Sequence, residues 1–448
     1  MSPGKKILPM IAAVLLCGCG QEESLKPVGT TVTTTTTKAE TSVPTATEVL
    51  TMTSETTTQE ASSTTSSVTT AVSTTVQTSA KTTTAPSKTA STVTSAKKAV
   101  EKVKGKTAKE VLAELSLREK VGQLFITSPS LTDRDLGSDN PYISAFEKVP
   151  IGGITVYGSE VVTPDQITRL TKNVQAASKV PMLVALDEEG GRVARIANVS
   201  AFPVGKMPSA EAIGKTGDPE QAYAAGRKIG SYMRTYGFNT DFAPVADVNS
   251  NPNNTVIGDR SFGSDPGKVS KFVGRFADGL HDSGALTCIK HFPGHGDTNE
   301  DTHTSAATVD KTWEQLKQCE LIPFTENLDK ADMVMVAHIT LPKVTGDNTP
   351  ASLSYEIMTG KLRNELGYKG VIVTDALAMN AVKNYYTPEQ AAVLSFKAGA
   401  DILLIPDSLS SSYNAVLKAV ESGEISMSRL DESVLRILSL KEKYGLLG

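Results

Sequence analysis

A (β/α)8 barrel is the fold class this sequence predicts, and three observations predict it. Eight short apolar runs recur between residues 121 and 405. Each is nearly continuous in apolar character, as a parallel strand covered on both faces requires; a half-exposed strand would alternate. Amphipathic stretches of helical period fill the spacers, and strand alternating with helix over this length points to one barrel, with a doubly wound open sheet as the competing arrangement. Finally, the side chains able to do chemistry fall at the ends of the runs. No internal repeat of fixed period is visible.

The 448-residue chain carries a net charge of −4 and a pI near 5.9. That balance offers no electrostatic attraction to nucleic acid or to an anionic membrane surface. The N-terminus has two lysines, an apolar run from Ile7 to Leu16, and then Cys17-Gly18-Cys19. A run of about ten residues is too short to span a bilayer and reads as an export signal. Leu16-Cys17-Gly18-Cys19 resembles a bacterial lipobox, which implies that residues 1–19 are a lipoprotein signal peptide and that Cys19 carries a lipid. Residues 20–106 are Thr and Ser with Val, Ala, Lys and scattered Pro, and they contain no aromatic residue. Such a stretch cannot bury enough apolar surface to offset ordering entropy and is expected to be a disordered tether, with glycosylation left open. It could reach roughly 250 Å fully extended, with a root-mean-square span of ~50 Å as a flexible chain. The expected location is the extracellular face of a bacterial membrane, lipid-anchored, with the globular part in or beyond the cell wall. Only Cys288 and Cys319 remain in that part, and they read as two separate thiols rather than a disulfide.

The catalytic unit is expected to run from 107 to 448. Its strands are expected at Val121–Thr127, Ile151–Tyr157, Met182–Asp187, Phe242–Val248, Ala285–His291, Val334–His338, Val371–Asp375 and Ile402–Ile405. Helical periodicity marks Gln221–Tyr236, Lys268–Leu280, Trp313–Leu328, Tyr355–Leu366, Gln390–Ala398 and Leu430–Tyr444.

Asp187, Asp247, Lys290, His291, His338 and Asp375 lie at or just after the C-terminal ends of these runs. In a barrel those ends share one face, where active sites form. Asp187 opens Asp-Glu-Glu-Gly-Gly-Arg-Val-Ala-Arg195, whose paired glycines are expected to let the backbone approach a ligand. A carboxylate with Arg195 and Arg260 at the rim suits the donor and acceptor demands of sugar hydroxyls. Each residue also has a plain reading as a loop ion pair or a turn cap.

Lys290 to His303 reads KHFPGHGDTNEDTH. Pro293, Gly294 and Gly296 interrupt any helix, so His291 and His295 are not placed on one helical face as an HxxxH metal site needs. No metal and no cofactor are expected. Asp301-Thr302-His303 is the sharper pair. An aspartate two residues away in a loop can fix the tautomer of a histidine and raise its pKa, as a general acid near neutral pH requires. Asp375, alone at the end of the seventh run among apolar neighbours, is then the candidate nucleophile.

KHFPGHGDTNEDTH, DEEGGRVAR, VIGDRSFG and VIVTDALAM, in that company, resemble the β-N-acetylglucosaminidases of glycoside hydrolase family 3. The resemblance extends from Leu115 to the C-terminus. It implies a retaining, exo-acting enzyme that releases terminal β-linked N-acetylglucosamine from peptidoglycan fragments or chitooligosaccharides. Asp375 would form the glycosyl-enzyme intermediate. His303 would be the acid/base with Asp301 its partner, and Asp187, Arg195, Arg260, Lys290 and His291 would hold the sugar. Thr302 stands where the family usually has Ser. Some members carry a second α/β domain; here the chain stops after the eighth helical pattern, so a monomeric barrel is expected to complete its own site. Three rivals remain: a glucose- or xylose-preferring relative, a phosphorolytic relative, and a sugar-binding lipoprotein that would not need Asp375.

Overall fold

The computed structural model describes residues 102–129, 142–298 and 307–448. The expected Cys19 anchor, nearly all of the Thr/Ser-rich tether, and Asp301 and His303 lie outside the described residues.

Eight strands form the central sheet: β1 Phe125–Thr127, β2 Gly153–Thr155, β3 Leu183–Leu186, β4 Thr240–Asp241, β5 Leu286–Phe292, β6 Met333–Val336, β7 Val371–Thr374 and β8 Leu403–Leu404. Consecutive strands are parallel neighbours from β1 to β7, and β8 pairs with β1 through Phe125↔Leu403. The circuit closes where Val373 bridges Ile402 and the Thr374 N–H donates to Ile402 O at 3.1 Å. Every residue in the eight strands is buried, which is why the runs read as continuous apolar sequence. The spacer helices start where the chain supplies a side-chain cap: Thr163, Asp265, Thr387, Ser408 and Ser426 each accept a backbone N–H in the first turn. Proline follows three of these caps, where its missing N–H is harmless.

Several expected elements differ. Val121–Gln123 belongs to the helix Leu117–Gln123, because Ser116 and Glu119 form a reciprocal capping box that starts a helix there. The fourth strand is Thr240–Asp241, ahead of the apolar run Phe242–Val248. Pro244 interrupts that run, which stays against the sheet through the Phe242 N–H to Leu186 O at 2.9 Å, the Cys288 N–H to Ala243 O at 3.0 Å and the bridge Val245↔Lys290. The run is apolar because it is buried, not because it is regular strand. Trp313–Leu328 splits into helices Trp313–Lys317 and Ile322–Thr325, the second with Pro323 in its first turn, and Glu356–Glu365 winds as a π-helix. Packing begins upstream of Thr107: Val103 is buried and the Gly105 N–H donates to Leu447 O at 2.7 Å. Cys288 is buried in β5 and Cys319 is partly exposed, both unbridged.

Candidate active site

After β3 the chain stays extended through Asp187-Glu188-Glu189, so residues 187 and 189 share one face and 188 takes the other. Lys290, buried in β5, places its Nζ 2.7 Å from Asp187 Oδ1 and 2.7 Å from Glu189 Oε1. Arg195 donates to Asp187 Oδ2 at 3.0 Å, and Arg260 forks onto both oxygens of Glu189 at 2.8 Å each. Burial alone would raise the Asp187 carboxyl. Lys290 and Arg195 outweigh it and hold the group well below the usual carboxylate range. Burial works the same way on Glu189, where Arg260 and Lys290 prevail and hold it at about 2.

Glu188 faces the other way. Its carboxylate accepts the backbone N–H groups of Arg195, Ile196 and Ala197 at 2.6, 2.9 and 2.8 Å and the Tyr232 hydroxyl at 2.7 Å. Glu188 thereby folds back the loop that delivers Arg195. The paired glycines serve the same loop: Gly190 and Gly191 both have positive φ, and side chains there would strike Pro208 O and Ser209. They are needed against the protein's own backbone and are absent from the cavity lining, so the close approach they permit in this structure is to Pro208 and Ser209.

Asp247, reached through the Phe242–Val248 run, is fully buried behind His291. One oxygen lies 2.7 Å from His291 Nδ1; the other accepts the N–H groups of His291 at 3.2 Å and His295 at 2.7 Å. Downstream, Asn254 donates to His295 O at 2.8 Å, and Asn251 reaches the carbonyls of Asp297 and Thr298 at 3.4 and 3.2 Å. Gly296 packs so closely on Val248 O that a Cβ would lie 1.8 Å from it. The segment 291–298 is thus stitched to the loop after β4.

Asp375 follows β7 directly. Its Oδ1 accepts the Ala376 N–H at 2.7 Å, and among the described residues it forms no ion pair with lysine or arginine. Burial would raise its carboxyl; His338, His291 and the Ala376 N–H prevail and keep it below the usual range. His338 donates from Nε2 to Ala376 O at 2.9 Å and contacts Ser352 Oγ through Nδ1 at 2.6 Å, so it braces the loop behind Asp375. Ile405, with φ of 42°, is the one described non-glycine residue with positive φ, an unfavourable setting for a β-branched side chain. Its carbonyl receives the Ala378 N–H at 3.0 Å, supporting that same loop.

A cavity of about 160 Å³ is lined by Asp187, Arg195, Arg260, Lys290, His291 and Asp375. All six described residues expected to bind or react therefore converge. His295 joins them in the lining, whereas Asp247 and His338 stand behind it. Glu189 and Tyr157 also line the cavity, and the sequence singles out neither. Strand alternation could have placed Glu189 beside Asp187. Tyr157 sits at the mouth, its phenol pushed up to about 12 by burial and by the charges of Asp187 and Asp375. Arg195 Nε is buried with no hydrogen-bond partner among the described residues. A pocket of cations, engaged carboxylates and one unpaired carboxylate suits a small, neutral, hydroxyl-rich ligand.

The model of the "Glycosyl hydrolase family 3 N terminal domain" matches residues 116–440. The chain is 38% identical over 325 residues to beta-hexosaminidase A of Pseudoalteromonas piscicida, an alignment covering 66% of this chain and 54% of that protein. It is 35% identical over 338 residues to beta-hexosaminidase LpqI of Mycobacterium tuberculosis, covering 73% of this chain and 84% of that one. This chain therefore spans about half the length of the first relative and most of the second. The solved structure of a glycoside hydrolase family 3 beta-N-acetylglucosaminidase from Paenibacillus sp. str. FPU-7 is similar with a TM-score of 0.70 at 39% identity, covering 75% of this chain and 64% of that chain.

Proposed function

The chain belongs to glycosyl hydrolase family 3, and we propose that it is a retaining, exo-acting β-N-acetylglucosaminidase. Its substrates are terminal β-linked N-acetylglucosamine units of peptidoglycan fragments or chitooligosaccharides. The observation that carries this reading is the contrast among the cavity's carboxylates. Asp187 and Glu189 are tied to lysine and arginine. Asp375, held ionised in the same cavity, has no such partner among the described residues. A carboxylate left unpaired can attack an anomeric carbon; a carboxylate in an ion pair is better used to hold hydroxyls.

In this mechanism Asp375 displaces the leaving group and forms a glycosyl ester. His303, oriented by Asp301, gives the departing oxygen its proton and then takes one from the water that hydrolyses the ester. Asp187, Arg195, Arg260, Lys290 and His291 fix the ring. The small cavity supports removal of single terminal sugars, since sites for larger ligands enclose roughly 300–1,000 Å³. No metal or cofactor enters the scheme.

We further propose that residues 1–19 are a lipoprotein signal and that the Thr/Ser-rich stretch ahead of residue 102 is a tether, so that lipid on Cys19 holds a monomeric barrel at the outer face of the membrane. Cys19→Ala should then release active protein from membranes; a variant that still partitions with them removes the anchor. The decisive assay compares aryl β-N-acetylglucosaminide with aryl β-glucoside, with and without phosphate. Preference for the first, with free N-acetylglucosamine as product in both buffers, supports the proposal. Preference for the glucoside, or a sugar 1-phosphate as product, overturns it in favour of a rival.

A further inference from the structure

The cavity is rich in donors. Lys290, Arg195 and Arg260 can only donate, and the carboxylates of Asp187 and Glu189 are already engaged by them. Beside the lone pairs that those carboxylates keep, His291 Nε2 is a further place where a sugar hydroxyl can donate.

The geometry around the ring fixes its proton. Asp247 is fully buried and bonded on both oxygens. Burial would raise its carboxyl, but the group is held below the usual range, with hydrogen bonds from His291 Nδ1 at 2.7 Å and the His295 N–H at 2.7 Å on its two oxygens. An ionised carboxylate only accepts, so the nitrogen 2.7 Å away, His291 Nδ1, carries the hydrogen. At the other end, His291 Nε2 lies 3.4 Å from Arg260 NH2. A guanidinium only donates, so in the neutral ring Nε2 presents its lone pair. The Arg260 contact is long because that guanidinium is already forked onto Glu189 at 2.8 Å, which leaves the lone pair with capacity for a stronger donor.

We propose that Asp247 is a positioning residue that holds His291 as the Nδ1–H tautomer, so that Nε2 accepts a hydrogen bond from one hydroxyl of the bound sugar. The inference rests on the reading of the cavity as a sugar site. It adds a residue that touches no substrate and a direction for one hydrogen bond. The same carboxylate, through its bonds to the His291 and His295 N–H groups, sets the backbone on which the ring stands.

Asp247→Asn tests it. The amide keeps the shape, and its oxygen can still accept from the His295 N–H. Its NH2 would donate to Nδ1, drive the ring proton to Nε2 and turn the cavity's acceptor into a donor aimed at Arg260; a comparable carboxylate-to-amide change inverts the imidazole in a serine protease triad. Expected is a loss of roughly 10- to 100-fold in kcat/KM, the scale of one buried hydrogen bond left unmade. The loss should have a signature that general damage lacks. Among aryl N-acetylglucosaminides deoxygenated in turn at O3, O4 and O6, one should be poor with the parent protein and no worse with the variant. The other analogues should lose the full factor. A variant that loses equally on all analogues, or loses nothing, overturns the proposal.

Imidazole 15N spectra of the parent protein test the tautomer directly, whether or not the variant folds. The chain has five histidines, and the His291 signal is the one missing from His291→Gln. An Nε2–H form at His291 overturns the inference. If the parent protein cleaves no β-N-acetylglucosaminide at all, the functional proposal falls, and the 15N spectrum still decides the tautomer.

Discussion

At the two ends of the barrel the chain places aspartates with opposite bookkeeping. On one face Asp187 and Asp375 come directly after β3 and β7; on the other, Asp332 comes directly before β6 and Asp401 two residues before β8. The second pair is fully used. Asp401 takes Arg363 at 2.8 Å, Arg436 at 3.1 Å, the Ile372 N–H at 2.9 Å and the Ser433 hydroxyl. Asp332 takes Lys443 at 2.9 Å, the Tyr444 hydroxyl at 2.6 Å, His281 at 2.9 Å and the Thr287 N–H at 3.1 Å. Ser433, Arg436 and Lys443 all belong to the last helix, Met427–Lys443, so these acids staple that helix to the barrel floor. On the cavity face the bonding is left incomplete: Asp375 has no cationic partner and Arg195 Nε no acceptor among the described residues. Buried charge is common to both faces. What separates a site from a staple is unspent hydrogen-bonding capacity around a space.

The contrast breaks most visibly at its extremes. Asp375→Asn should reduce turnover of aryl β-N-acetylglucosaminide by about 10⁴-fold or more, as loss of a nucleophile does. Its Tm should be unchanged or higher, because a residue kept for chemistry contributes little to folding. Asp401→Asn should do the reverse. Removing the centre of a buried ionic hub costs about 3–5 kcal/mol, seen as a lower urea midpoint, while the folded fraction keeps its kcat at low temperature. An Asp401 variant of normal stability but poor turnover would erase the distinction between the faces.

Much of this was legible because it is local. A residue just after an apolar run points to the cavity end, and one just before it to the floor. On that rule Asp187, Lys290, His291 and Asp375 could be placed without coordinates. Asp332 and Asp401 could have been sorted the same way. What could not be read was pairing between distant segments: Lys290 meets Asp187 across 103 positions and Arg260 meets Glu189 across 71. The roles of Glu188 and Asp247 likewise depend on partners supplied by distant elements, Tyr232 on the helix Glu220–Thr235 and His291 on β5. Local signals also misled. The apolar stretch Phe242–Val248 looks like strand because burial and strand both select apolar residues, and Val121–Gln123 was taken by the capping box of Ser116. Gly190 and Gly191 looked like ligand-contact glycines, although the tight approach they permit is to Pro208 and Ser209.

Lys441 sharpens the comparison, because it is a floor charge without a carboxylate. Its ammonium, fully buried, donates to Gln123 Oε1 at 2.8 Å and Gly152 O at 3.0 Å, and burial pushes its pKa down to about 7. The ordinary value is near 10.4. Between pH 7 and that value the unfolded chain binds a proton that the folded chain lacks, so stability should rise with pH across the window. Below pH 7 both states are protonated and the burden of the buried ammonium is felt in full. Urea midpoints at pH 6, 8 and 9.5 should therefore climb in the parent protein by a total on the order of 4 kcal/mol. Lys441→Met should flatten the climb. Parallel curves for the two proteins would mean that Lys441 keeps its proton.

The smallest effect expected belongs to Asp332, and its sign is opposite. Burial would raise this carboxyl, but His281, Lys443 and Tyr444 prevail and hold it at about 2, against an unfolded value near 3.9. A depressed carboxyl contributes stability that is fully present above the unfolded value and is lost as pH falls from about 4 toward about 2, here about 2.5 kcal/mol in all. Asp332→Asn should lower the urea midpoint at pH 7 and make the acid limb between pH 4 and 2 shallower, with kcat of the folded protein unchanged. Glu189→Gln is the matched control on the other face, since Glu189 is also held at about 2, by Arg260 and Lys290 against its burial. It should flatten a comparable part of the acid limb, but with a raised KM, because it releases two cations into the cavity that holds the sugar. If Asp332→Asn raises KM as Glu189→Gln does, the floor acid is coupled to the site and the division between the faces fails. If neither variant changes the acid limb, the ion pairs do not govern acid stability at either end.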